Sequence, residues 1–139
     1  MPARHTLAST TKPMDEKITI NIGCVDLGQI ELLVQEGFYA NRTDLIRTAI
    51  RNQLATHGEA VRSVVSRRTL ALGIQNYSAA DLEAVKASGE KLQIKVLGLA
   101  CIADDVTPKL ALAAIESLTV LGALHASPAV KAALRDRIA

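Results

Sequence analysis

The sequence predicts an α+β protein built in two parts, and three observations carry that reading. Residues 17–22, Lys-Ile-Thr-Ile-Asn-Ile, alternate polar and β-branched apolar side chains, the pattern of a half-buried strand. Two amphipathic helical stripes follow it with no second strand nearby. The last third holds a repeated strand–helix unit: Val96-Leu97-Gly98-Leu99 recurs as Val120-Leu121-Gly122-Ala123, and each copy precedes a hydroxyl–proline pair, Thr107-Pro108 or Ser127-Pro128.

The elements follow in order. Residues 1–14 are rich in Thr, Ser, Pro and Lys without apolar periodicity, which predicts a flexible arm. The strand at 17–22 places Ile18, Ile20 and Ile22 on one face and Lys17, Thr19 and Asn21 on the other. Gly23 ends it. Leu27, Ile30, Leu33, Val34 and Phe38 then recur at threes and fours as one helical stripe, closed by Gly37 where a left-handed cap is needed. Asn41 is a capping residue for a second helix, and Asp44 suits the positive end of its dipole. Its stripe is Leu45, Ile46, Ala49, Ile50 and Leu54, ending near His57-Gly58. A lone strand leaves its ladder hydrogen bonds unmet, so two copies of the chain are expected to pair across a two-fold axis.

Residues 59–78 read as a basic helix or linker carrying Arg62, Arg67 and Arg68, with a loop over 73–78. Ser78 caps a short helix over Ala79–Ala87, closed by Ser88-Gly89. The two hydroxyl–proline pairs start helices over Pro108–Ser117 and Pro128–Ile138. Tandem strand–helix units imply parallel strands joined by crossovers. The runs Val96–Ala103 and Val120–Ala126 are nearly continuous in apolar residues, as for strands covered on both faces. The expected domains are therefore 15–58, a linker over 59–78 and an assembly domain over 79–139.

Composition narrows the function. The chain has 139 residues, 16 Lys plus Arg against 14 Asp plus Glu, and a net charge of +2, so nucleic-acid binding needs local geometry in its support. With two Tyr, one Phe and no Trp, base stacking on aromatic faces is excluded as a main binding mode. Cys24 and Cys101 lie in no metal or redox spacing and read as small buried hydrophobes. The histidines lack ligand spacing, and no phosphate loop or nucleophile elbow occurs among the eight glycines. No enzyme activity, metal or cofactor is expected. The longest apolar run falls far short of the about twenty residues that a spanning helix needs. The N-terminus lacks the apolar stretch of a secretory signal, and a cytoplasmic, nucleoid-associated protein is expected.

The stretch from Lys-Ile-Thr-Ile-Asn-Ile to Gly-Phe-Tyr-Ala-Asn-Arg-Thr-Asp-Leu-Ile-Arg, about residues 15–58, resembles the ribbon–helix–helix superfamily, the Arc, MetJ and CopG group of bacterial and phage transcription regulators. The resemblance implies an obligate homodimer whose two strands form an antiparallel ribbon in the major groove of double-stranded DNA. It assigns base contacts to Lys17, Thr19 and Asn21, and phosphate contacts to Asn41, Arg42, Thr43 and Arg47. Ile18, Ile20, Ile22, Leu27, Ile30, Val34, Ile46 and Ile50 would form the dimer core. The expected function is a sequence-specific regulator, a repressor, with a C-terminal self-association domain that builds tetramers or larger species. An antitoxin with a toxin partner and an architectural DNA-coating protein are the alternatives. The first is not favoured, because the C-terminal third carries its own caps and apolar repeat.

Overall fold

The structure, a computed structural model, describes residues 15–139. The arm expected over 1–14 lies outside the described residues. The described chain forms two compact units, 15–64 and 65–139.

The first unit holds α1 (Cys24–Gln35), α2 (Arg42–Thr56) and most of α3 (Gly58–Arg68), whose last turn enters the second unit. α1 ends as its sequence requires. Gly37 takes φ 85°, its N–H donates to Val34 O at 3.1 Å, and the Phe38 N–H donates to Leu33 O at 3.0 Å. This pair of bonds is a Schellman cap. The segment expected as a strand, 17–22, belongs to no helix and no ladder in the single chain. A strand exists only where a neighbour accepts and donates its hydrogen bonds, and one chain supplies none here. No side chain of residues 15–64 is buried; Ile18 is 76% exposed and Ile20 70%. Cys24, expected as a buried hydrophobe, is also exposed, and Cys101 is half-buried.

The second unit is a parallel sheet with helices. β1 (Ala71–Tyr77), α4 (Ala79–Ala87), β2 (Leu92–Ile102), α5 (Pro108–Ala114), β3 (Ile115–His125) and α6 (Pro128–Ala133) alternate, and a 3₁₀ turn (Arg135–Arg137) ends the chain. The strands lie in chain order, β1-β2-β3, all parallel. Leu82 of α4, Leu110 and Ala114 of α5 and Val130 of α6 share one core with Ile94, Val96 and Ile102 of β2 and Leu118 of β3. All three helices therefore cover the same face. The other face carries Leu72, Leu97 and Leu121 in one register row and Ile74, Leu99 and Ala123 in another. Leu72, Ile74 and Leu121 stay exposed, at 67%, 48% and 44%. The expectation of strands covered on both faces is thus corrected: among the described residues the helices cover one face, and on the other Leu99 is buried while Leu72, Ile74 and Leu121 are not.

Capping was legible and boundaries were less so. Ser78 and Asp81 form a reciprocal capping box at α4, and the Ser78 N–H bonded to the Asp81 carboxyl holds it below the usual carboxylate range. Thr107 and Ser127 cap α5 and α6 as expected. The loop expected at 73–78 is instead β1. α5 stops at Ala114 rather than Ser117, because Ile115, Ser117 and Leu118 pair with β2. The Arg137 guanidinium seals that junction, donating to Leu112 O and Ile115 O at 2.6 Å each. The last helix is likewise cut at Ala133: the tail turns back, and the Ala139 N–H donates to Leu118 O at 2.8 Å.

Gly73, Gly98 and Gly122 occupy one register row across the sheet, with φ of 112°, 136° and 126°. A Cβ at Gly98 would strike the Gly73 carbonyl oxygen, and one at Gly122 the Gly98 carbonyl oxygen. Only glycine fits here on both counts. Gly98→Ala should lower stability by about 3 kcal/mol or more, from strained backbone and collision together. Gly89→Ala, at φ 80° with open space around it, should cost about 1 kcal/mol. Urea denaturation of both variants, followed by circular dichroism, compares them. Equal losses would show that the glycine row does not constrain the sheet.

Candidate nucleic-acid interface

The start of α2 is the most organised polar feature of the first unit. The first amides of a helix have no acceptor inside it. Asn41 accepts the Asp44 N–H through Oδ1 at 2.8 Å, and Asp44 Oδ2 in turn accepts the Ala40 N–H at 3.0 Å. This leaves the amides of Arg42 and Thr43 for an acceptor from outside, at the positive end of the helix dipole. Thr43, Arg47 and Arg51 follow at helical spacing, and with Ala40, Asn41 and Asp44 they line one cleft. An anion there meets two guanidinium groups and a hydroxyl. Asp44 adds one negative charge, with one of its oxygens already engaged by Ala40.

Of the four residues expected at phosphate, the structure brings Asn41, Thr43 and Arg47 together. Arg42 turns toward α1 instead, with Nη1 3.7 Å from Glu31 Oε1, both side chains more than half exposed. Such a pair contributes at most about 1 kcal/mol in water. Arg51 joins the cleft, and the i, i+4 spacing of Thr43, Arg47 and Arg51 was the signal for it. Lys17, Thr19 and Asn21 are exposed, but so are Ile18, Ile20 and Ile22 between them. Of the expected dimer core, Leu27, Ile30 and Val34 are half-buried, while Ile46 and Ile50 are exposed.

A family model described as the Ribbon-Helix-Helix transcriptional regulator family matches residues 13–131. The chain belongs to that family. The match runs well past the forty or so residues that carry the resemblance in the sequence. For this ribbon–helix–helix protein the match therefore spans residues of the β-sheet unit as well as those of the helix pair. No curated protein and no solved structure gives a significant match. Regulators of this family bind DNA and typically dimerise. They are typically non-enzymatic. Among the described residues no helix is long and apolar enough to cross a membrane.

If the α2 cleft receives DNA phosphate, Arg42→Ala should weaken binding to all DNA sequences alike. The plot of log affinity against log salt should become shallower by about one unit, the loss of one phosphate contact. Fluorescence anisotropy over a salt series measures that slope. An unchanged slope would place Arg42 away from the backbone.

Proposed function

We propose that this protein is a sequence-specific repressor that reads double-stranded DNA as a dimer through a two-stranded ribbon. The observation that carries the proposal is the exposed alternating segment 17–22, set directly before a helix pair in which nothing is buried. Two such segments paired antiparallel satisfy each other's backbone groups. The same pairing turns Ile18, Ile20 and Ile22 inward against Leu27, Ile30, Val34, Ile46 and Ile50 of both copies. Lys17, Thr19 and Asn21 then face outward on a ribbon narrow enough for the major groove. There Lys suits guanine O6 and N7, Asn suits adenine N6 and N7, and Thr suits a thymine methyl. Asn41, Arg42, Thr43 and Arg47 clamp the flanking phosphates and fix the register.

The C-terminal unit serves assembly in this reading. Leu72, Ile74 and Leu121 expose an apolar sheet face, and a second copy is its natural cover. Dimerising through the ribbon tethers two such faces together, raising their effective concentration to the millimolar range. A face-to-face contact then extends the dimer or joins dimers into tetramers. The packed core of this unit argues against an antitoxin tail that orders only on a toxin.

Asn21→Ala and Thr19→Ala should each lower affinity for the cognate site by about 1–3 kcal/mol while leaving binding to random DNA nearly unchanged. Gel shifts at fixed salt, with the cognate site first found by selection from random duplexes, decide this. Equal losses on both DNAs would reject base reading by the ribbon. The assembly role has its own check. The full-length double variant Leu72→Lys, Leu121→Lys should dissociate at a concentration at least tenfold higher than the parent, or fall from tetramer to dimer. Light scattering over a dilution series reads either change. An unaltered mass at every concentration would remove this face from the interface.

A further inference from the structure

Arg67, Arg68 and Lys95 converge on one cleft of the C-terminal unit, together with Thr69, Leu70 and Thr119. The register explains the meeting. Lys95 of β2 pairs with Thr119 of β3, and β1 begins at Ala71 beside Val96, so the end of α3 delivers its last residues next to Lys95. Among the described residues no acid lines the cleft. Among the described residues the ion pairs are Arg42–Glu31 and Arg62–Glu59, which leaves all three cations of this cleft without a carboxylate. Nor are the arginines needed to cap α3. The Thr69 N–H donates to Ser66 O at 3.2 Å and the Leu70 N–H to Val65 O at 3.0 Å, so a Schellman cap already satisfies those carbonyls.

Thr69 is the second observation. It stands at the left-handed position of that cap with φ 56°, the one non-glycine with positive φ among the described residues. Glycine is the usual residue there, and a β-branched side chain is strongly disfavoured. Thr69 thus lines the cleft against its own backbone preference, a combination typical of ligand clamps.

We propose that this cleft binds the phosphate group of a small molecule, either inorganic phosphate or a phosphate monoester. A monoester carries nearly two negative charges at neutral pH and three strong acceptor oxygens. The two guanidinium forks can each take a pair of oxygens, the Lys95 ammonium serves as a point charge, and the Thr69 and Thr119 hydroxyls complete the donors. A carboxylate would neutralise one of three clustered cations, whereas a phosphate dianion balances most of them. Lys95 and Thr119 lie on strand rows within the sheet rather than on a protruding ridge, which favours a single tetrahedral group over a run of DNA phosphates. An occupant joins the last turn of α3 to β2 and β3, so it stiffens the point where that helix enters the sheet.

The test uses the full-length protein, uniformly labelled with nitrogen-15, titrated with sodium phosphate against sodium chloride of equal ionic strength. Saturable shifts of the Thr69, Lys95 and Thr119 amides with phosphate alone are expected, at one site per chain. Lys95→Gln and Arg68→Gln should each weaken that binding at least tenfold without disturbing the rest of the spectrum. A parallel titration with glycerol phosphate identifies the source: tighter binding than inorganic phosphate marks a monoester site, and weaker binding marks a site for the free ion. Arg42→Ala, which probes the DNA contact of α2, should leave these titrations unchanged, so failure of the repressor reading is separable from failure here. The proposal is overturned if chloride produces the same shifts, if they do not saturate, or if Lys95→Gln binds phosphate as the parent does. It is also overturned if a DNA duplex displaces the phosphate and Lys95→Gln flattens the salt dependence of DNA binding.

Discussion

The crossover connections of the parallel sheet govern the C-terminal unit. Two parallel neighbours cannot be joined by a tight turn, so the chain must return over the sheet before it starts the next strand. With the strands in the order β1-β2-β3 and crossovers of the usual right hand, every return lies over the same face. α4 and α5 therefore pool one core, which α6 joins after the last strand, and much of the opposite face stays exposed although Leu99 is buried there. A doubly wound sheet avoids this by reversing its strand order partway. Three strands in sequence order have no such reversal. The exposure of the apolar rows through Leu72 and Ile74 follows from that topology.

The N-terminal unit meets the same physical demand in a more severe form. Fixing a residue's backbone costs about 1–2 kcal/mol in conformational entropy, and burial of apolar surface is the main term that offsets it. Among residues 15–64 no side chain is buried. α1 and α2 keep a few half-buried contacts, Leu27, Ile30, Leu33 and Val34 on one side and Leu45 on the other. Helices of this length are marginal in water without an apolar face to pack on. Local features hold the two ends well, through the cap at Gly37 and the Asn41–Asp44 exchange, but caps contribute about 1 kcal/mol each. A chain that folds here needs a surface from outside itself, and the dimerisation typical of its family would supply one.

What the sequence disclosed divides along the same line between local and distant causes. The caps at Asn41, Ser78, Thr107 and Ser127 are set by side chains bonding amides three residues on, so each was readable from a few letters. The helix over Ala79–Ala87 was recovered to the residue for that reason. β1 was missed because Gly73, Gln75, Asn76 and Ser78 have the composition of a turn. Its better signal was the third copy of the Leu-Gly pair, Leu72-Gly73, in register with Leu97-Gly98 and Leu121-Gly122. The early end of α5 was invisible for a related reason: nothing near Ala114 stops a helix, and pairing with β2 does. At the α2 cleft, Asn41, Thr43 and Arg47 were legible from helical spacing, whereas the turn of Arg42 toward Glu31 depends on how α1 packs beside α2.

A net charge of +2 conceals two cationic clefts that work on different principles. At the start of α2 the helix itself favours an anion, because its dipole and unbonded amides point the same way as Arg47 and Arg51. Fewer charges suffice there, and the cleft tolerates the carboxylate of Asp44. At the end of α3 the dipole is reversed, carrying about half a negative charge at that terminus, and its carbonyls are already bonded. An anion there is opposed by the helix and must be held by side chains alone. Three cations and no acid are what such a location requires, and that is what the cleft around Arg67, Arg68 and Lys95 contains. Cationic residues at a helix end have an ordinary structural use in offsetting the dipole, which accounts for Arg67 and Arg68 taken singly. It does not account for Lys95, which comes from mid-strand on β2, nor for a threonine kept where glycine fits better. The convergence of separate elements on one cleft distinguishes a binding site from helix-end electrostatics.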